Sequence, residues 1–197
     1  MFLFDLETLG IDSTCVVLSA AITHFESEDK IPVEGLTSTL AIQEYHKYVR
    51  NSCYVKFDAL EQKKINRSVT PSTLDWWKKQ ADIPRNLALR PSANDLSVVQ
   101  GVEVLRQYIT DHGGNKQLVW ARGSLDQMAI DSLCRSVDIE PLFIYNRWRD
   151  VRTAIDFLAN TDNGYCEIKN FNPDSHVIKH DPRNDCALDI MMMLYYV

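Results

Sequence analysis

Two carboxylates, Asp5 and Glu7, stand two residues apart in FDLETLG, residues 4–10, within an otherwise apolar run. Along a strand, residues i and i+2 point to the same face, so the two acids project together. Like charges held close repel unless something positive lies between them. A hard divalent cation answers that need, because Mg²⁺ takes a few carboxylates and completes its shell with water. A solvent-facing strand edge also tolerates D-x-E, so the pair alone does not decide its own role.

Two further stretches carry chemistry of the same kind. Asp126 lies in ARGSLDQMAI, just past a short apolar run at a strand-to-helix turn. Such positions at the carboxyl ends of strands face the ligand crevice of an α/β sheet, although an acid there can also simply favour the helix N-terminus. HDPRNDCALDIMMMLYY covers residues 180–196. Asp181 suits an N-cap and Pro182 the first helical position. Ala187, Ile190, Met191 and Leu194 make an apolar stripe, and Asp185 lies one turn inside the helix at its border. His180 precedes the cap, where a loop can carry it over the same cleft. Asp189, one turn beyond Asp185, reads as a structural partner.

The elements that must position these groups are legible in outline. Residues 2–6 and 15–25 read as strands joined through Gly10, Asp12 and Ser13 as a hairpin. A third strand is expected within 43–50, and 51–71 reads as irregular. A helix is expected from Ser72, with Asp75 completing a variant capping box, and it carries Trp76 and Trp77. Neighbours on a helix are about 100° apart, so the two rings cannot share a face. One is expected in the core and the other, assigned here as Trp77, against a base. Apolar positions at 99, 102, 105 and 109 give a helix over 95–111 that ends at Gly113-Gly114. LVWA (118–121) and FIY (143–145) read as strands. Helices follow to about 137, from Thr153 to 159, and from HDP onward, with 160–179 as loop. In WRDVRT, Asp150 reads as a helix cap or a support for the acids, and Arg149 or Arg152 as a phosphate grip. The whole is an α/β pattern, antiparallel first and parallel later.

Composition excludes several classes. The chain has 197 residues, 45% hydrophobic and 24% charged, as expected for one globular domain spanning 1–197. No apolar run is long enough for a bilayer, and no basic residue precedes the N-terminal apolar stretch, so a cytoplasmic protein is expected. The five cysteines are odd in number and never spaced C-x-x-C, which predicts reduced thiols rather than disulfides or a zinc knuckle. The net charge of −6 argues against bulk electrostatic binding of nucleic acid. Residues 56–90 nevertheless hold eight basic side chains against four acidic ones. That segment is either a solvated face or a surface that follows a nucleic-acid strand.

Taken together, D-x-E at the N-terminus, an Asp after a middle strand, and H-x-x-x-x-D on the last helix resemble the DEDD exonuclease superfamily and its DEDDh branch. FDLETLG, STLDWWKKQ, ARGSLD, WRDVRT and HDPRNDCALDIMMM carry the likeness across nearly the whole chain. Within the branch it is similar to the exonuclease A group of phages and to small bacterial exoribonucleases. One departure is Arg122, which stands where many members carry Asn.

The resemblance implies an RNase H-like α/β fold, with a mixed five-stranded sheet and helices on both faces. It implies release of nucleoside 5′-monophosphates from a 3′ end of single-stranded DNA or RNA. Asp5, Glu7, Asp126 and Asp185 would hold two divalent cations, Mg²⁺ or Mn²⁺, with Asp5 bridging them, and His180 would be the general base. Thr8, Leu9 and Gly10 would meet the terminal nucleotide, together with Trp77. A homodimer and a location in the cytoplasm, the host's if phage-encoded, are also implied. Two alternatives stay open: a catalytically silent nucleic-acid-binding or protein-interaction module on the same fold, and an exoribonuclease restricted to oligonucleotides. A D-x-D phosphatase is disfavoured, because that chemistry needs Asp at both positions.

Overall fold

Phe2, Phe4 and Leu6 alternate with Leu3, Asp5 and Glu7 along β1 (Phe2–Thr8), and the alternation sorts the strand onto two faces. The first three enter one apolar core, whereas Leu3 enters another on the opposite face. Asp5 and Glu7 follow Leu3 on that second face, toward the carboxyl end of the strand. These positions come from a computed structural model that describes residues 1–197, apart from the Asp29 side chain.

The elements run β1, β2 (Val17–His24), α1 (Ser38–Asn51), β3 (Cys53–Lys56), α2 (Ala59–Lys64), α3 (Pro71–Lys78), α4 (Asp82–Leu89) and α5 (Val98–Asp111). They continue with β4 (Val119–Ala121), α6 (Leu125–Arg135), β5 (Trp148–Asp150), α7 (Val151–Ala159) and α8 (Pro182–Tyr195). The sheet has five strands in the order β3-β2-β1-β4-β5. β1 pairs antiparallel with β2, and β2 with β3. β4 pairs parallel with both β1 and β5. This is a mixed α/β sheet of RNase H-like topology.

The two faces carry separate cores. Phe2, Phe4, Val102, Leu105, Ile130 and Leu133 pack β1 against α5 and α6 on one side. Leu3, Tyr45, Val151, Ile155, Ile190 and Met191 pack it against α1, α7 and α8 on the other. The site therefore lies on the α8 face, at the carboxyl end of the central strand.

Several expected elements shift. The strand expected within 43–50 is part of α1. Thr37 caps that helix by accepting the Leu40 amide, and Ala41, Tyr45 and Tyr48 recur at helical spacing as its buried face. The edge strand is β3, and together with α2 it orders much of the expected irregular stretch 51–71. α3 begins at Pro71 rather than Ser72, and Asp75 pairs with Lys78 at 2.8 Å instead of closing a capping box. The strand expected at 143–145 is displaced to Trp148–Asp150; Leu142 and Phe143 are core plugs from the preceding loop.

All five cysteines are free thiols. No helix among the described residues is long and apolar enough to cross a membrane.

Candidate active site

Four expected ligands arrive from three elements. β1 supplies Asp5 and Glu7, the first turn of α6 supplies Asp126, and the first turn of α8 supplies Asp185. They line one cleft of about 470 Å³ with Arg122, Arg152, Tyr165, Lys179, His180 and Asp189. Ligand atoms of Glu7, His180 and Asp185 lie within 4.8 Å of one another. A larger hollow of about 650 Å³ at the β3 edge gathers no such group of acids.

Burial makes this arrangement costly in the protein alone. It holds the Asp5 and Glu7 carboxyls well above the usual carboxylate range, and neighbouring acids add to the effect: Asp126 foremost at Asp5, Asp185 foremost at Glu7. Burial pushes Asp126 and Asp185 each up to about 7. The Leu6 backbone partly offsets the rise at Asp126, and the His180 amide does so at Asp185. Acids grouped this way accept either protons or cations. Hard oxygen donors with one imidazole suit a divalent metal, so the residues present fit the group that the sequence implies.

His180 is held rather than loose. Its backbone takes the left-handed conformation, φ +62°, which a non-glycine residue adopts at a cost. In that geometry its N–H donates to Asp185 Oδ2 at 3.0 Å. Its Nδ1 lies 3.7 Å from Glu7 Oε1. The Trp76 ring meets the imidazole edge-on at 4.7 Å. Burial, and then Lys179, lowers the imidazole pKa below its ordinary value.

Asp189 finds its structural partner in Arg122. It is 4% exposed and accepts a fork from Arg122, with Nε at 2.9 and 3.0 Å and Nη2 at 2.6 Å. Arg122 Nη1 also donates to the Gly164 carbonyl at 3.0 Å. The departure from Asn therefore places a cation that neutralises a buried acid beside the ligands. Asp150 proves to be both cap and support. One oxygen accepts the Thr153 amide at 2.7 Å, and the other accepts the Gly123 amide at 2.7 Å, fixing the turn that leads to Asp126.

The expected nucleotide contacts change most. Trp77 is fully buried, and its indole N–H donates to the Thr8 carbonyl at 3.0 Å, so it has no face to offer a base. Trp76, 40% exposed beside His180, is the ring that reaches the cleft rim. Leu9 packs in a small core with Val16, Leu18, Trp77 and Ala88. Gly10 is required by its neighbour, since a Cβ there would fall 2.6 Å from Cys15 Cβ. Thr8 Oγ1 donates to the Gly10 carbonyl at 2.7 Å. These contacts give Leu9 and Gly10 a structural reason, independent of any nucleotide.

Some supports carry no sequence signal. Gln62, fully buried, clamps Val17 by accepting its N–H at 2.9 Å and donating to its C=O at 2.7 Å. Arg67, 6% exposed, donates to the carbonyls of Cys15, Ser13 and Ala129. It is a brace for the hairpin loop, not part of a basic surface. Of the other cations in 56–90, Lys56, Lys78 and Arg85 pair with Asp95, Asp75 and Asp82. Lys63, Lys64, Lys79 and Arg90 remain exposed. Arg149 donates to the carbonyls of Asn146 and Trp148, away from the cleft, whereas Arg152 lines it.

An RNase H-like sheet that gathers buried and half-buried acids and a histidine over its central strand belongs to the class of nucleases. A family model described as "3'-5' exoribonuclease Rv2179c-like domain" matches residues 1–195. An exodeoxyribonuclease of Enterobacteria phage T4 is 30% identical over 213 aligned positions, covering 98% of this chain and 87% of that protein. The chain belongs to the Rv2179c-like family of 3′-5′ exonucleases.

Proposed function

We propose that the protein hydrolyses single-stranded DNA or RNA from the 3′ end and releases nucleoside 5′-monophosphates, with two divalent cations, Mg²⁺ or Mn²⁺, as cofactors. The observation that carries this reading is the convergence of Glu7, His180 and Asp185 in one cleft with Asp5 and Asp126. Asp5, Glu7, Asp126 and Asp185 would hold the cations. Bound there, the ions offset the charge of the phosphodiester and make water a better nucleophile near neutral pH.

The chain's own groups perform the remaining tasks. The His180 imidazole accepts the proton of the attacking water, and its lowered pKa keeps it neutral and ready near pH 7. Its amide bond to Asp185 ties the position of the base to that of a ligand. Trp76 limits rotation of the imidazole and, with the Thr8–Gly10 turn, forms the rim that takes the terminal nucleotide. Arg152 offers its guanidinium to a phosphate oxygen in the cleft.

The phage relative is an exodeoxyribonuclease and the family is described as one of exoribonucleases, so the test uses both. A time course on 5′-labelled single strands with Mg²⁺ or Mn²⁺ is expected to give a descending ladder that EDTA stops. Cleavage that persists in excess EDTA would contradict the metal requirement. Immediate release of the labelled 5′-terminal nucleotide, without a ladder, would contradict the polarity. Absence of any ladder would favour a silent binding module.

A further inference from the structure

The strand order gives the cleft two unlike rims. β2 lies on one side of β1 and β4 on the other. The β2 side ends in the hairpin loop, on which α3, the helix of Trp76, packs through Trp77. The β4 side ends in Arg122, directly after Ala121, and there the segment Gly164–Tyr165 folds over.

This second rim is built. The Gly164 carbonyl accepts from Arg122, and its amide donates to Asp156 Oδ1 at 2.8 Å. Gly164 has φ +72°, and a Cβ there would fall 2.5 Å from the Arg152 side chain, so this tight approach requires glycine. The clamp delivers the Tyr165 ring onto the Arg122 guanidinium, 4.2 Å from centroid to Cζ. Tyr165 is still 53% exposed and lines the cleft. A large ring with one face on a fixed cation and more than half its surface in solvent is not serving the core.

A phosphodiester cut above β1 has one nucleoside on each side of the scissile phosphate. With the terminal nucleotide on the Trp76 rim, the other nucleoside must pass over the β4 rim. We propose that Tyr165, stacked on Arg122, is the platform for the base of the penultimate nucleotide. This rests on the exonuclease reading given above. Stacking on a tyrosine accepts any base, because every base has a π-face. The Arg122 fork to Asp189 sets the height and tilt of the ring, so Arg122 is a positioning residue for the platform.

The experiment compares short single-stranded substrates that carry an abasic site at the terminal or the penultimate position, for wild type, Tyr165→Ala and Tyr165→Phe. For wild type, a penultimate abasic site is expected to raise KM about tenfold. Tyr165→Ala is expected to raise KM by a similar factor on the intact substrate and to show no further penalty from the penultimate abasic site. Tyr165→Phe should behave as wild type in both respects. Equal losses on the intact and abasic substrates in Tyr165→Ala would make the ring a structural element and overturn the platform. Coupling of Tyr165 to the terminal site instead would overturn the assignment of the rims. A wild type inactive on every substrate would remove the exonuclease reading, and the platform with it, before any variant is compared.

Discussion

The two rims of the cleft are held in place by different physics. The hairpin rim is held by apolar packing and neutral hydrogen bonds: Leu9 against Trp77, the Trp77 indole on Thr8, and Gln62 on Val17. The β4 rim is held by charge, with the Arg122–Asp189 fork at its centre and Tyr165 leaning on the same guanidinium. Between them lie carboxylates that burial has pushed toward neutrality. The difference teaches which side of the site should respond to pH and which should not.

The largest effect is expected between the rims. Asp5→Asn keeps the shape and removes one of the mutually repelling acids, so turnover should fall by at least about a thousandfold while the melting temperature holds or rises. Activity assays beside thermal melts check this, and a variant that lost fold and activity together would make Asp5 a structural residue.

Arg122→Ala breaks the charged rim. It leaves Asp189 buried without its partner, a loss of about 3–5 kcal/mol by denaturant unfolding. Adding Asp189→Asn to the same chain should recover much of that loss, since the uncompensated charge is then gone. A double variant no more stable than Arg122→Ala would mean that packing, not charge, holds this rim.

The acids also give the metal-free protein a pH dependence of definite sign. Asp126 and Asp185 are at about 7 in the folded chain and near the ordinary carboxylate value when unfolded. Between roughly pH 4 and 7 the folded state binds more protons, so stability falls as pH rises through that window. A decrease of about 10 °C in melting temperature from pH 5 to 8 in EDTA is expected, and saturating Mg²⁺ should remove most of it. A melting temperature that rose with pH in EDTA would contradict the burial of these groups as acids.

The smallest effect sharpens the neutral rim. Trp77→Phe keeps the apolar ring and loses the indole bond to Thr8, a cost of about 1 kcal/mol that should be independent of pH. A loss that grew at high pH would mean that the hairpin rim is coupled to charge after all.

The clustered acids are legible in the sequence because chemistry constrains their types and the strand and helix periods constrain their spacing. Asp5 and Glu7 share a face by the period of two, and the Asp181–Pro182 start sets the register of Asp185. β1, β2, α8 and the mixed order of the sheet follow from the same periods. β3 does not, because aromatic and β-branched residues in HKYV mimic a strand while Thr37 and the Ala41–Tyr45–Tyr48 spacing make a helix. The choice between Trp76 and Trp77 is likewise invisible, since adjacent helix positions differ only in what packs on them. Gln62, Arg67 and Tyr165 act across 45, 52 and 43 positions of chain on Val17, Cys15 and Arg122, and no local pattern announces such partners.

The central claim is that the acids over β1, α6 and α8 are there to hold divalent cations. Calorimetric titration of Mn²⁺ into the chelator-stripped protein at pH 7.5 tests it directly. The account predicts two ions per chain for wild type, and loss of that stoichiometry in Asp5→Asn. A wild type that binds no Mn²⁺, or an Asp5→Asn variant that binds it unchanged, would contradict it.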